Sequence, residues 1–282
     1  MKRKLSRIPL HIAIVVIVII WLVPSVGVFV NSFRVPRAIR GQGWWTAFTD
    51  PFNTELWTLS NYESVLTAND LDTAFRNSFF ISIPATILPI ILAAFAAYAF
   101  AWMDFAGRRA IFSIVVGLLV VPLQMTFVPV YRLYNSMGLT GTFLGIWLAH
   151  SGYGLPFAVF LLRNFFGSLP RDIFESAFLD GASWFQAFWR LALPLSVPAL
   201  AALAIFQFLW VWNDLLVALI YLGGTPAVAP LTVRVANLVG SLGAEWYLLP
   251  AAAVVAMAVP LIVFFSLQRF FVRGILAGSV KG

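Results

Sequence analysis

Long uncharged stretches alternate with short polar ones along this chain, and the uncharged stretches are apolar on every face rather than along one stripe. A charged residue at the centre of a membrane helix costs about 2.5 to 3.5 kcal/mol, so charge-free runs of about 20 residues mark crossings of the hydrocarbon core. Six runs predict six transmembrane helices, at about 11–31, 77–103, 110–131, 142–163, 198–222 and 246–268. The fourth starts near Thr142 because NSMGLTG reads as a turn, and the fifth contains one acid, Asp214. Barrel strands run about 9 to 11 residues and alternate apolar with polar positions, which these runs do not. The start, MKRKLSR before a long apolar run, has the charge order of a secretory signal. The run exceeds the 7 to 15 residues of such a core and no clear A-x-A site follows, so it is read as a retained anchor.

An even number of crossings puts both termini on one side of the membrane. The termini and the loops after the second and fourth helices hold Lys2, Arg3, Lys4, Arg7, Arg108, Arg109, Arg163, Arg171, Arg190, Arg269, Arg273 and Lys281, twelve of the eighteen basic residues. The other side holds Arg34, Arg37, Arg40, Arg76, Arg132 and Arg234. The positive-inside rule therefore predicts cytoplasmic termini, although the RVPRAIR cluster just after the first helix opposes it. The expected layout is a cytoplasmic tail over 1–10, an all-α domain of six transmembrane helices over 11–273 with a cytoplasmic loop at 164–194, and a second tail over 274–282. The long external loop, 31–76, carries Trp44, Trp45, Trp57 and Tyr62, which suit the interfacial aromatic belt. Its acids, Asp50, Glu55, Glu63, Asp70 and Asp72, either meet a soluble partner or are simply solvated.

Composition narrows the function. The chain of 282 residues is 61% hydrophobic and 10% charged, against roughly 25% charged in soluble domains, which excludes a soluble enzyme or a disordered regulator. The net charge of +7 is assigned to topology rather than to nucleic acid. With no cysteine there is neither a disulfide framework nor a thiolate metal site. The only lysines, Lys2, Lys4 and Lys281, exclude the GxxxxGK[ST] loop that cradles ATP phosphates. His11 and His150 are isolated, and Ser151 in HSGYG has no base and orienting acid beside it, so that motif reads as close helix packing. Asp214 is a functional candidate as an intramembrane carboxylate. It either brackets a neighbouring helix or lines a path with Gln207, Trp210 and Asn213, and it would be the coupling site of an ion-driven secondary transporter, the alternative reading.

The loop 164–194 carries the strongest local signals. Ser168 offers an N-cap, Pro170 fits a first turn, and Gly181 suits the left-handed residue that closes a helix, giving a helix over about 169–180. Ile173, Phe174, Ala177 and Phe178 share one face, with Arg171, Asp172, Glu175 and Ser176 toward the other. Ser183 and Gln186 form a capping box for a second helix that Pro194 and Pro198 limit. Glu175-Ser176-Ala177, three residues, Gly181, nine residues and Leu191-Ala192-Leu193-Pro194 resemble the E-A-A-x3-G-x9-I-x-L-P signature of permease subunits of binding-protein-dependent ABC importers. Ser176 and Leu191 depart from it conservatively. The likeness extends to LRNFFGSLPRDIFESAFLDGAS, WND and QRFFVRGILAGSVKG, and is closest to the second permease of maltose-type and α-glucoside-type sugar systems.

The resemblance implies a type I ABC importer permease fold with a cytoplasmic coupling helix, and a transport subunit rather than an enzyme. It implies that Phe174, Glu175, Ser176, Ala177, Phe178, Asp180, Gly181, Leu193 and Pro194 engage a cytoplasmic ATPase. Phe174 and Phe178 would be apolar anchors, and Glu175 would pair with a partner arginine rather than with Arg171. The expected assembly has a second homologous permease, two copies of the ATPase and an external solute-binding protein in a bacterial or archaeal cell membrane. ATP and Mg would be bound by the partners, with no cofactor in this chain and no nucleic acid. The expected cargo is a di- or oligosaccharide such as an α-glucoside, moved by alternating access, with the tail after Gly274 reaching between the ATPases.

Overall fold

The structure, a computed structural model, describes residues 7–68, 71–238 and 245–277. Its main helices are α1 (Ile8–Ser32), α2 (Leu71–Trp102), α3 (Arg108–Leu118), α4 (Leu123–Ser136), α5 (Phe143–Phe166) and α6 (Arg171–Leu179). They continue as α7 (Trp184–Leu195), α8 (Val197–Trp212), α9 (Leu216–Leu222), α10 (Leu231–Leu238) and α11 (Leu249–Ala277). Among the described residues there is no strand, only an isolated antiparallel bridge between Arg34 and Trp57. The polypeptide divides into two compact units, Met1–Asp72 with Arg234–Ala258 and Thr73–Val233 with Val259–Gly282.

Among the described residues, four helices are individually long and apolar enough to cross a membrane: α1, α2, α5 and Trp246–Gln268. Two further pairs qualify as bent spans, α3 with α4 at 99° and α7 with α8 at 73°. The predicted third helix, 110–131, is thus broken. Helical bonding stops at Leu118 and resumes at Leu123, after Pro122, which has no N–H to donate and forces the residue before it out of the helical region. The predicted fifth helix, 198–222, is likewise interrupted at residues 213–215. The predicted tail from Gly274 begins inside α11, which runs to Ala277; residues 278–282 lie outside the described residues, as do residues 1–6 of the first tail.

In the first unit, α1 leaves nearly all its large apolar side chains exposed, from Ile8 to Val26, as lipid contact allows. The loop after it is organised by Arg34, which is fully buried. Its guanidinium donates to Gly43 O at 3.0 Å, Gln42 Oε1 at 3.1 Å and Thr46 Oγ1 at 2.9 Å. Arg40 lies 5.0 Å from the Tyr247 ring centroid. Of the arginines that oppose the orientation signal, Arg34 is therefore committed to this loop's own folding, and Arg40 to its contact with the segment that precedes α11.

The second unit has two cores. One joins α2, α5, α6 and α7 through Ala93, Ala97, Leu162, Phe166, Phe174 and Phe188. The other joins α2, α5, α8 and α9 through Ala85, Ile146, Ala149, Val211, Val217 and Tyr221. Alanines at these contacts let backbones approach, the usual solution where lipid removes the hydrophobic drive for helix association.

Candidate functional site

The α6–turn–α7 segment is built from strong local signals. Pro170, not Ser168, occupies the N-cap of α6. Ser168 still belongs to the turn that ends α5, its Oγ donating to Phe165 O at 2.7 Å. Gly181 closes α6 at φ +85°, with Gly181 N–H donating to Phe178 O at 3.0 Å and Ala182 N–H to Ala177 O at 2.9 Å. These two bonds form a Schellman motif, which places a left-handed residue where glycine has no Cβ to strain. The capping box is complete: Gln186 N–H donates to Ser183 Oγ at 3.3 Å and Ser183 N–H to Gln186 Oε1 at 2.8 Å. Pro194 does not end α7, because a π turn over Phe188–Ala192 widens the helix ahead of the ring that lacks an N–H. The chain bends only at Ser196.

Contacts sort the predicted coupling residues. Phe174 is wholly buried and stacks on Trp102 with ring centroids 3.9 Å apart, while Trp102 Nε1 donates to Phe166 O at 3.1 Å. Phe174 is therefore no anchor for another protein; it fastens α6 to α2 and α5. Phe178 is half-buried against Trp184 at 4.4 Å. Ser176 turns its hydroxyl onto Asp172 O at 2.8 Å, so the departure from alanine is absorbed within the helix. Glu175, Asp180 and Pro194 are exposed and Ala177 and Leu193 half-buried. Among the described residues Glu175 makes no ion pair with Arg171. Ala177, Asp180, Gly181, Gln186, Arg190 and Leu191 line a cleft of about 330 Å³ in the angle between α6 and α7.

The WND residues hold a helix break. Asp214 Oδ1 accepts from Val217 N–H at 3.2 Å and Oδ2 from Ala218 N–H at 2.9 Å, capping α9. Thr232 Oγ1 donates to Asp214 O at 2.6 Å, and His150 Nε2 lies 3.7 Å from Asp214 Oδ2. Asn213 donates back to Leu209 O at 2.7 Å. Both side chains serve the backbone of the break, and neither lines the cleft in which Gln207 and Trp210 meet.

That cleft, about 310 Å³, lies between α5 and α8 and is lined by Tyr153, Gly154, Phe157, Phe206, Gln207 and Trp210. Gln207 is buried at its floor, donating to Ala85 O at 3.2 Å and His150 O at 3.5 Å. The absence of a side chain at Gly154 admits the amide, since a Cβ there would lie 2.5 Å from Oε1. The Tyr153 hydroxyl is 2.6 Å from Tyr221 OH and 2.9 Å from Thr126 Oγ1, and Thr126 donates onward to Leu123 O at 2.6 Å. Phe157 and Phe206 lie in no motif of the sequence, and Tyr153 falls in HSGYG, read there only as close helix packing. Their four-residue spacings, 153 to 157 and 206 to 210, were the available signal.

Comparison with known proteins brings four findings. The family described as binding-protein-dependent transport system inner membrane component matches residues 78–277. The osmoprotective compounds uptake permease protein GgtD of Synechocystis sp. is 57% identical over 98% of this chain and 93% of its own length. The alpha-glucoside transport system permease protein AglG of Rhizobium meliloti is 54% identical over 86% of this chain, which spans only 64% of that relative. Among solved structures, a bacterial ABC transporter involved in the import of the acidic polysaccharide alginate superposes with a TM-score of 0.78 at 20% identity, covering 95% of this chain and 96% of that one.

Proposed function

Because the chain belongs to the family of inner membrane components of binding-protein-dependent transport systems, we propose that it is one of two permeases through which an ABC importer moves a neutral glycoside. The α6–turn–α7 element carries this reading. Its inner face is fixed to the bundle by Phe174, and its outer face presents Glu175, Leu179 and Asp180. An element fixed on one side and exposed on the other transmits displacement, as a seat for a cytoplasmic ATPase must. In the proposed assembly a second permease, two ATPase subunits that hold ATP and Mg, and an external solute-binding protein complete the machine, with both termini of this chain cytoplasmic. Sugar as cargo, in the class of α-glucosides, follows from the likeness to AglG.

An ion-coupled transporter using Asp214 is disfavoured because that carboxylate is committed to capping α9. Proteoliposomes containing the whole assembly test the proposal: uptake of radiolabelled maltose, trehalose or sucrose should require internal ATP and survive collapse of ion gradients by ionophores. Uptake that continued without ATP while an ion gradient was held would overturn it.

A further inference from the structure

We propose that the short 3₁₀ turn Trp44–Phe48 is a wedge in the membrane interface, with the rings of Trp45 and Phe48 set among phospholipid acyl chains just below the headgroups. The inference uses the first compact unit alone and does not rest on the glycoside reading. Three residues per turn put Trp44 and Ala47 on one side of the element and Trp45 and Phe48 on the other. Ala47 is fully buried, whereas Trp45 and Phe48 are 63% and 62% exposed. The inner side is docked on α1. Trp44 covers Gly27, where a Cβ would stand 2.9 Å from the indole Cδ1 and Nε1. The same indole meets both outer rings edge-on, with centroids 6.2 Å from Trp45 and 6.1 Å from Phe48. The two exposed rings are therefore held by one that is itself fastened to a membrane helix.

Depth follows from α1. That helix turns polar at Asn31 and Ser32, and the chain then doubles back to the level of Gly27. At about 1.5 Å per residue, the docked turn sits about 7 Å below the Ser32 end, within the roughly 5 to 10 Å to which interfacial elements bury an apolar face. Around Gly27, the α1 side chains of Val23, Val26 and Phe29 are exposed too, so the wedge continues the apolar surface of that helix. A soluble protein approaches from beyond Ser32 and does not reach this level. The polar atoms of the turn are spent internally, as a water-poor setting requires. Gly43 O accepts from Thr46 N–H at 3.1 Å, Thr46 Oγ1 at 2.7 Å and the Arg34 guanidinium at 3.0 Å. Thr49 donates its N–H at 3.2 Å and its Oγ1 at 2.7 Å to Thr46 O. What the turn offers outward is a phenyl ring and an indole, and tryptophan concentrates where headgroups give way to acyl chains.

Spin labelling of the complete importer tests the wedge, in nanodiscs of phosphatidylethanolamine and phosphatidylglycerol and with an introduced cysteine as the only thiol; this chain contributes none of its own. A nitroxide on Phe48→Cys reports collisions with oxygen, which concentrates in lipid, and with a neutral nickel chelate, which stays in water. The oxygen-to-nickel accessibility ratio is expected to be several-fold higher there than on Phe52→Cys, at the 92% exposed position of the same loop. Trp45→Cys, on the same face, repeats the measurement if Phe48→Cys fails to assemble. A ratio no higher than that at Phe52 would place the turn in water. A label that neither reagent reaches would place a protein surface over it, from the companion permease or the binding protein. Either result overturns the wedge.

Discussion

Phe174 and Glu175 are neighbours in sequence and opposite in circumstance. Phe174 is sealed against Trp102, and its ring fastens α6 to the bundle. Phe174→Ala is expected to cost about 3 kcal/mol or more through transfer and cavity terms, seen as a lower unfolding midpoint of the purified complex. Glu175 is exposed, so Glu175→Lys should change stability by less than about 0.5 kcal/mol. It should nevertheless separate ATP hydrolysis from uptake, because reversing the charge spoils the surface offered to the ATPase. Tight coupling in that variant would count against the seat. Gly154 illustrates the same dependence on surroundings. A methyl group there meets the Gln207 amide at 2.5 to 2.8 Å, so Gly154→Ala should displace the amide from Ala85 O and His150 O. The loss, about 0.5 to 1.5 kcal/mol for each hydrogen bond, is measurable as reduced thermal stability together with reduced uptake.

Elements here are punctuated by local chemistry, and most of that punctuation is legible in the sequence. Gly181 and the Ser183–Gln186 box identify the turn between α6 and α7, because both act over three to five residues. Gly181→Val should cost about 1 to 2 kcal/mol from the left-handed backbone alone, since no atom lies within 4 Å of a Cβ built there. Ser183→Ala should cost about 1 kcal/mol of helix start. Chemical denaturation of the complex distinguishes both from wild type. The second helix ends at Leu195, between Pro194 and Pro198, and a π turn over Phe188–Ala192 accommodates the first of those prolines. Asp214 has the same character: its carboxylate is a cap, so Asp214→Ala should lower stability by about 0.5 to 2 kcal/mol. Asp214→Asn, which keeps an acceptor oxygen, should recover part of it and leave uptake dependent on ATP. Dependence of wild-type uptake on an ion gradient, lost in the asparagine variant, would instead assign the carboxylate to ion coupling.

At the scale of the whole molecule, the cysteine-free sequence makes topology directly measurable. Phe52 is 92% exposed and the Asp104 side chain, in the loop after α2, is fully exposed, so single cysteines placed there should label cleanly. A membrane-impermeant thiol reagent on intact cells is expected to modify Phe52→Cys at once and Asp104→Cys only after permeabilisation; the reverse order would invert the proposed orientation. The sequence by itself determined the all-α membrane character, the six apolar runs, the lack of an ATP-binding loop and the capped turn that carries the family likeness. Each depends on composition or on contacts a few residues apart. Only the tertiary structure decided that Phe174 belongs to Trp102, that Asp214 closes a break in its own helix, and that the aromatic pairs of α5 and α8 share one cleft. In a soluble helix the polar stripe tells which face turns inward. Here the runs are apolar all round, so the periodicity that would choose their neighbours is missing, and packing between residues distant in sequence makes the choice.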